Sequence, residues 1–461
     1  MTNGFRRSAR WTHPSVCALA GTQDPVTVLV AHARQVVRKA MDAGWHGPPF
    51  DPIALGELLK IPMIPCDDVV DARTVPVGRS GLRIEFNPSR PPNRVRYSVA
   101  HEIAHTFFPD CTTHVRNRAA YHEMTGDEWQ LEALCNIGAA ELLMPAGSIH
   151  ELAAHGLNLE HLLELRARYA VSTEAMLIRA TRMSETSIAM FCASALERSG
   201  RHVGYQLDYV IGSPAWSAPI TRGLNLPDTT VVGDCIAIGF TSAGLERWAG
   251  AEVDVQCVGI SGYPGCLLPR VVGVLRLKGA ATTQNGPTIS YVRGDATRPS
   301  GKGTRVVAHV VNDATANWGG HGFAATLRRS IPDTQEDFRS WAKSLNSRLR
   351  LGQTHYTPVR EDIGVFHMVA QHGYGASTKP RIRYAALDAC LHQLGTHAAD
   401  SGASVHMPRI GTGQAGGAWD VIRDMILEQI CARGVSVTVY DLPGRVVPTA
   451  PQSSLDFSAL V

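Results

Sequence analysis

The sequence predicts a multidomain protein of mixed class, with an α+β N-terminal domain, a mostly β middle domain and an α/β/α C-terminal domain. Three observations carry this expectation. The chain has 461 residues, about three times the ~150 residues usual for one domain, so two or three cores are expected. Apolar residues recur at helical spacing in the first part, give way to short β-rich segments after about residue 186, and alternate between strand and helix patterns from Ile289 onward. Hydrophobic residues make up 44% and charged residues 18%, the composition of a chain that folds rather than one that stays disordered.

Residues 1–24 mix Arg, Ser, Gly and Pro without periodicity and are read as a flexible tail. From Val26 to Ala43 apolar residues (Leu29, Val30, Ala33, Val36, Val37, Ala40) mark an amphipathic helix that Gly44 ends. A second helix is expected over Pro52 to Leu59, and Gly81 to Phe86 alternates like a half-buried strand stopped by Asn87-Pro88. That strand leads into Val99-Ala100-His101-Glu102-Ile103-Ala104-His105. Residues 25–185 form the first predicted domain and 186–277 a sensor-sized one. Residues 278–288 are small and polar, as in a linker. From 289 to 445 strands at Ile289–Val292, Val306–Val310, Ile363–Val369, Ser404–Met407 and Ser436–Tyr440 alternate with helical stretches, the pattern of a sheet covered by helices. Residues 446–461 read as a second tail.

Charge and processing signals narrow the function. Lys and Arg exceed Asp and Glu only enough for a net charge of +3, too balanced for coating a polyanion. No apolar run approaches the ~20 residues of a spanning helix, and the basic N-terminus is not followed by a signal-peptide core. The ten cysteines form no CxxC pair. A cytoplasmic protein with no membrane partner is expected.

His101 and His105 lie one helical turn apart, so both imidazoles share a face and can grip one Zn²⁺, with Glu102 beside it as a general base. A catalytic zinc takes three protein ligands and keeps one position open. The third is expected on the helix that Pro145 closes, where Glu128, Glu132 and Glu141 are candidates. Glu132 is preferred for its apolar neighbours, whereas Glu128 sits in an acidic first turn where a solvated carboxylate is ordinary. His114 and His122 are read as solvated loop residues.

The run Arg94 to Ala100 before the motif, followed by Glu132-Ala-Leu-Cys-Asn-Ile-Gly-Ala-Ala-Glu-Leu-Leu-Met-Pro145, resembles the ImmA/IrrE family of zinc metallopeptidases over about residues 25–185. The resemblance implies a gluzincin-like fold, zinc on His101, His105 and Glu132, Glu102 as base, and limited cleavage of a repressor-like regulator in a stress response. Some members of that family continue into helix-turn-helix-like and GAF-like segments. Leu159 to Met183 is similar to the first, and 186–277 stands where the second would be. The pair of helices is equally well read as completing the peptidase core. Arg166, Arg168, Arg179 and Arg182 are too few to establish direct DNA binding.

Two glycine-rich turns follow strands in the last domain, Trp318-Gly319-Gly320-His321-Gly322-Phe323 and Gly411-Thr412-Gly413-Gln414-Ala415-Gly416-Gly417. Each can bring backbone N–H groups to a phosphate at a helix mouth, and the pair fits a diphosphate held from two sides. With Val292-Arg293-Gly294-Asp295, Asn312-Asp313 and Met407-Pro408-Arg409-Ile410, these turns resemble a macrodomain across about 289–443. That resemblance implies binding of ADP-ribose or an ADP-ribosylated molecule. Asp295 would hold the adenine, 319–323 and 411–416 the diphosphate, and Asn312 or Asp313 would lie near the distal ribose. The chain departs from subclasses that place an acid in the second loop, because it has Gln414 and Ala415 there. If the domain hydrolyses its ligand, water positioned by Asn312, Asp313 or His321 is expected instead. His321 is read equally as a loop cap. The competing readings make the chain an ADP-ribosyl hydrolase with a regulatory peptidase, or an ADP-ribose reader with structural zinc. The open coordination position favours the peptidase.

Overall fold

The computed structural model describes residues 11–78, 81–113, 116–117, 127–149, 158–198, 201–262, 268–278, 289–318, 320–346, 348–375, 377 and 379–441. The chain is a multidomain α/β protein with two compact units, Met1–Asn285 and Gly286–Val461. His114, His122, Gly319, the linker at 279–288 and the second tail lie outside the described residues.

In the first unit, α1 (Pro14–Ala20) precedes α2 (Pro25–Asp42). Asp24 caps α2 by accepting from the Thr27 amide, and Pro25 starts it, a position where a missing N–H costs nothing. Asp51 caps α3 (Pro52–Leu58) in the same way through the Ile53 amide. A four-stranded sheet follows, β1 (Met63–Pro65), β2 (Ala72–Val77), β3 (Gly81–Phe86) and β4 (Arg116–Asn117), in the order β1-β3-β2-β4. Between β3 and β4 runs α4 (Pro92–His105), in which every residue from Ser98 to His105 is buried. A helix enclosed on all sides is core rather than surface. Its neighbour is α5 (Glu128–Leu143). The two approach so closely at Gly138 that a Cβ there would stand 2.7 Å from the Cβ of Ala104. Only glycine permits that approach, and it brings Glu132, Cys135 and Asn136 against the α4 histidines.

Helices α6 (Leu159–Tyr169) and α7 (Thr173–Met183) are joined by a short turn, with Ala170 in the left-handed region at φ 51° and Ser172 capping α7. Leu159, Leu162, Leu165, Tyr169, Met176, Leu177 and Ala180 sink into the same core as α4 and α5. Six antiparallel strands complete the unit: β5 (Ile188–Arg198), β6 (Arg201–Gly212), β7 (Asn225–Leu226), β8 (Thr241–Trp248), β9 (Ala251–Ile260) and β10 (Arg270–Leu277), in the order β7-β6-β5-β10-β9-β8. These strands occupy the stretch expected to form a separate domain, yet they share a core with the helices. Along β5, Ile188, Met190 and Cys192 face the helical core, while Ala189, Phe191 and Ala193 face a second cluster. Both faces are covered, so the strand reads as one continuous apolar run and its alternation is hidden.

The second unit holds β11 (Ile289–Arg293), β12 (Arg305–Asn312), β13 (Thr354–Arg360), β14 (Ile363–Gln371), β15 (Ser404–Pro408) and β16 (Val437–Asp441), in the order β11-β16-β15-β12-β14-β13. All pair in parallel except the β13–β14 hairpin. The edge strand β13 contains Pro358 and is absent from the sequence reading. Helices α8 (Gly322–Ser330), α9 (Asp333–Ser344), α10 (Tyr384–Ser401) and α11 (Trp419–Gln429) connect the strands. No described helix is long and apolar enough to cross a membrane.

Candidate functional site

The motif helix α4 carries His101, Glu102 and His105 fully buried. The two rings lie edge to face with centroids 4.9 Å apart. Their Nε2 atoms converge on one carboxylate: His101 Nε2 is 3.1 Å from Glu132 Oε2 and His105 Nε2 is 3.3 Å from Glu132 Oε1. The other ring nitrogens are held from behind. His101 Nδ1 donates to Asn136 Oδ1 at 3.0 Å, an oxygen that also accepts from Tyr97 OH at 2.8 Å, and His105 Nδ1 contacts Cys135 Sγ at 3.3 Å.

That arrangement has an electrostatic consequence. With Nδ1 of His101 donating to Asn136, its Nε2 faces an anionic oxygen at 3.1 Å, a contact that calls for positive charge, either a proton on Nε2 or a cation between the two atoms. His105 Nε2 and Glu102 Oε1 are buried without a hydrogen-bond partner. Burial opposes charge on Glu132, but the two imidazoles hold its carboxyl well below the usual range. Burial likewise works against a charged His105, yet Cys135, Glu132 and Glu102 hold its protonated form well above its ordinary value. The pocket is therefore built around positive charge. In a tetrahedral zinc site with bonds of ~2.0–2.2 Å, ligand atoms stand about 3.3–3.6 Å apart, close to the 3.1 and 3.3 Å that separate the two Nε2 atoms from the Glu132 oxygens. His101, His105 and Cys135 also form a compact potential donor group. Cys135, however, contacts the ring nitrogen of His105 opposite the one that faces Glu132, so it supports that ring from outside.

Glu141, the other buried candidate, is taken: Arg179 Nη1 donates to Oε1 at 2.6 Å and Nη2 to Oε2 at 2.7 Å. Glu128 is exposed at the start of α5. The same pairing removes Arg179 from any surface that DNA could reach. One partner has no sequence signal: Thr74 on β2 is buried and donates to Glu102 Oε2 at 2.8 Å.

In the second unit the residues singled out from sequence gather at the C-terminal ends of the parallel strands, where α/β sheets bind ligands. Asp295 Oδ1 accepts from the amide and hydroxyl of Thr297, both at 2.9 Å. Asn312 Oδ1 is consumed by its own loop, accepting from the Ala314 and Thr315 amides. Asp313 instead faces a residue the sequence reading missed: Oδ2 accepts from His372 Nδ1 at 2.8 Å and Oδ1 from the Gly373 amide at 2.8 Å. His321 occupies the N-cap position of α8, but its side chain makes no capping bond. Gly320, His321 and Gly322 are exposed, Phe323 is half-buried, and Gly322 has φ 60°.

The second glycine loop closes on itself, with Gly417 N donating to Gly411 O and Gly416 N to Gly413 O. Gly411 and Gly416 have φ 73° and 67°, and Thr412 Oγ1 donates to Arg409 O. Gly413 and Gln414 are exposed, while Ala415 is buried and its carbonyl accepts from the Arg381 and Ile382 amides. Arg409 pairs with Asp441 and lies over Tyr291 and Trp419.

Comparison with known proteins matches residues 70–181 to the IrrE N-terminal-like domain. Radiation response metalloprotease IrrE of Deinococcus deserti is 32% identical over 146 residues, 31% of this chain and 51% of that protein. Chromodomain-helicase-DNA-binding protein 1-like of Mus musculus is 29% identical over 164 residues, 34% of this chain and 18% of its own length. A macrodomain protein from Streptomyces coelicolor is 38% identical, covering 33% of this chain and 98% of its own, with a TM-score of 0.30. The chain thus spans about half or less of these curated relatives.

Proposed function

We propose that the chain is a zinc-dependent peptidase that cleaves a repressor-like regulator and carries an ADP-ribose-binding domain, and the match of residues 70–181 to the IrrE N-terminal-like domain supports the first half. The observation behind the first half is the convergence of two buried Nε2 atoms on Glu132, with orphaned His105 Nε2 and Glu102 Oε1 beside them. His101, His105 and Glu132 would hold the ion, which when bound would acidify a water and polarise the scissile carbonyl. Glu102 Oε1 is placed to take a proton from water and pass it to the leaving amine, while Thr74 fixes Oε2 so that Oε1 keeps one direction. Asn136 and Cys135 keep both rings turned toward Glu132.

The test is Glu102→Gln, which spares all three ligands. Stoichiometric zinc retained with proteolysis reduced by ~10²–10⁴-fold supports the assignment; undiminished cleavage refutes it.

ADP-ribose binding is supported by two glycine loops at parallel-strand ends and by Asp295 Oδ2, which has no hydrogen-bond partner among the described residues and is free for an adenine amino group. Calorimetric titration of wild type and Asp295→Ala with ADP-ribose tests it, and no heat from wild type ends the reading. The antiparallel sheet β5–β10 is assigned a GAF-like sensing role. Ligand occupancy of either site biases the peptidase only by differential affinity for two conformations. If ADP-ribose changes zinc affinity, zinc must by reciprocity change ADP-ribose affinity by the same factor.

A further inference from the structure

We propose that Cys235 and Cys257 form a reversible redox site, in which hydrogen peroxide oxidises Cys235 and Cys257 then closes a disulfide that ties the loop at 233–240 to β9. The site stands on the geometry of the antiparallel sheet and depends neither on zinc nor on the GAF-like role. The two sulfurs are in van der Waals contact, Sγ to Sγ 3.6 Å, and both side chains are buried in the second apolar cluster of the first unit. A buried cysteine is usually a small apolar filler, so burial alone assigns nothing. Here two thiols meet head to head from elements 22 residues apart, and a bond requires the sulfurs to close to ~2.05 Å. Cys257 is fixed within β9, with Val253 and Val255 in the same cluster. Cys235 lies outside the strands, so the movement falls to its loop.

That loop is held against β9 yet faces solvent. Gly259 N donates to Phe240 O at 2.9 Å, and Gly239 N donates to Gly259 O at 2.8 Å. A Cβ on Gly259 would stand 2.2 Å from Ala237 O, so only glycine lets the loop lie this close to the strand. Asp234, Ile236, Ile238 and Phe240 are exposed around the buried thiol. A small uncharged oxidant therefore needs only a local excursion of this loop to reach Cys235.

The two sulfurs take different roles. The hydrogen bond from the Cys257 thiol holds Cys235 below its ordinary value against the effect of burial, and backbone hydrogen bonds from Ser242 and Gly259 act in the same direction. Cys257 is pushed up, first by its bond to Cys235 and then by burial. The thiolate is the nucleophile, so Cys235 attacks and Cys257 resolves. Burial pushes Cys192 and Cys390 up to about 12 and Cys431 to about 11, which leaves them poor competitors.

The chemistry balances with the peroxide as oxidant. Cys235 Sγ bonds to one peroxide oxygen, the O–O bond breaks, and the departing hydroxide takes a proton to become water, leaving a sulfenic acid. The thiolate charge that raised Cys257 is then gone. Cys257 Sγ attacks the oxidised sulfur, the S–O bond breaks, and the hydroxide leaves as a second water with the Cys257 proton. Two thiols lose two electrons and the peroxide gains them.

The experiment treats the reduced full-length chain with hydrogen peroxide, quenches by alkylation and digests without reductant. The expected product links tryptic peptides 223–247 and 248–270, with fragmentation assigning the bond to Cys235 and Cys257, and dithiothreitol restores both thiols. Cys266 lies in the second peptide, so a link from Cys235 to Cys266 overturns the proposal. Survival of both thiols where free cysteine is oxidised also overturns it. Cys257→Ser should halt at a Cys235 sulfenic acid that dimedone traps, and Cys235→Ser should slow loss of the Cys257 thiol by about tenfold or more. Loss of Cys257 at the wild-type rate in Cys235→Ser refutes the assigned roles. Hydrogen exchange at the Gly239 and Gly259 amides should slow by about tenfold in the oxidised chain, and unchanged exchange shows that the disulfide does not tie the loop down. The wild-type chain carries the main readout, so a variant that folds poorly still leaves a decisive result.

Discussion

Replacing Asn136 by alanine isolates the outer layer of the proposed metal centre. In the native protein Asn136 Oδ1 accepts from His101 Nδ1 at 3.0 Å and from Tyr97 OH at 2.8 Å, so it fixes the tautomer and the ring angle without approaching the ion. Outer-layer partners of this kind typically change metal affinity by ~10–100-fold, which is ~1.4–2.7 kcal/mol. Asn136 is exposed, and water can take over as acceptor, so the lower end is expected, about tenfold. The assay is competition for zinc against a chromophoric chelator, with Asn136→Asp as a partner variant whose charge should tighten binding or leave it unchanged. A melting experiment gives a second readout. At a zinc activity ~100 times the wild-type Kd the ion stabilises the fold by ~2.7 kcal/mol, and a tenfold weaker site keeps only about half of that. Wild-type zinc affinity in Asn136→Ala, with binding lost in Glu132→Ala, would refute the reasoning and show that packing alone orients His101.

Thr74→Val, nearly isosteric, should keep full zinc content and lower peptide cleavage by about tenfold, since a hydrogen bond to an ionised group is worth ~1.5–3 kcal/mol and its loss frees Glu102 to turn; unchanged cleavage would show Thr74 to be mere packing. The second unit should be acid-labile. His309 Nε2 and His367 Nδ1 lie 2.7 Å apart in the core, and burial pushes His309 down to about 3 and His367 well below its ordinary value. The unfolded chain binds these protons near pH 6.5 and the folded one does not. Stability is therefore complete above that pH and falls by up to ~1.4 kcal/mol per pH unit per histidine below it. A calorimetric midpoint for this unit unchanged between pH 7 and pH 5 would contradict the sign.

The proposed metal ligands could be picked out because a helix repeats every ~3.6 residues, so His101 and His105 had to share a face, and because Glu132 sits among apolar residues where an unpaired carboxylate is costly. Thr74 was not legible: its meeting with Glu102 depends on how β2 crosses α4, which no local pattern records. His372 escaped for a similar reason. Asp313 could be picked out at the end of a strand ahead of the first glycine-rich turn, but its partner arrives from the end of another strand, and only the parallel pairing of β12 with β14 brings them together. From sequence, Arg179 was one of four arginines too few to establish DNA contact, because a helix pair of that spacing suits either a groove or a core. Its burial against Glu141 decides for the core.

Two glutamates on one helix separate structural from functional burial. Glu132 and Glu141 both lie on α5 and are 8% and 2% exposed. Glu141 meets a guanidinium, which is charged at every accessible pH, so its negative charge is answered by the chain itself. Burial opposes that charge, but Arg179 and Arg34 hold its carboxyl below the ordinary range. Breaking such a buried pair by removing one partner costs ~3–5 kcal/mol. Glu132 meets only imidazoles, which answer its charge while a ring is protonated and are neutral when they act as ligands, so a bound cation would take over that part. The same substitution should therefore have opposite signatures at the two positions. Glu141→Gln should lower the melting temperature equally with and without zinc and leave zinc affinity intact. Glu132→Gln should lower zinc affinity and abolish the zinc-dependent rise. If Glu132→Gln instead melts early without metal and still binds zinc, Glu132 is a structural partner of the histidines, and the open coordination site on which proteolysis depends is lost.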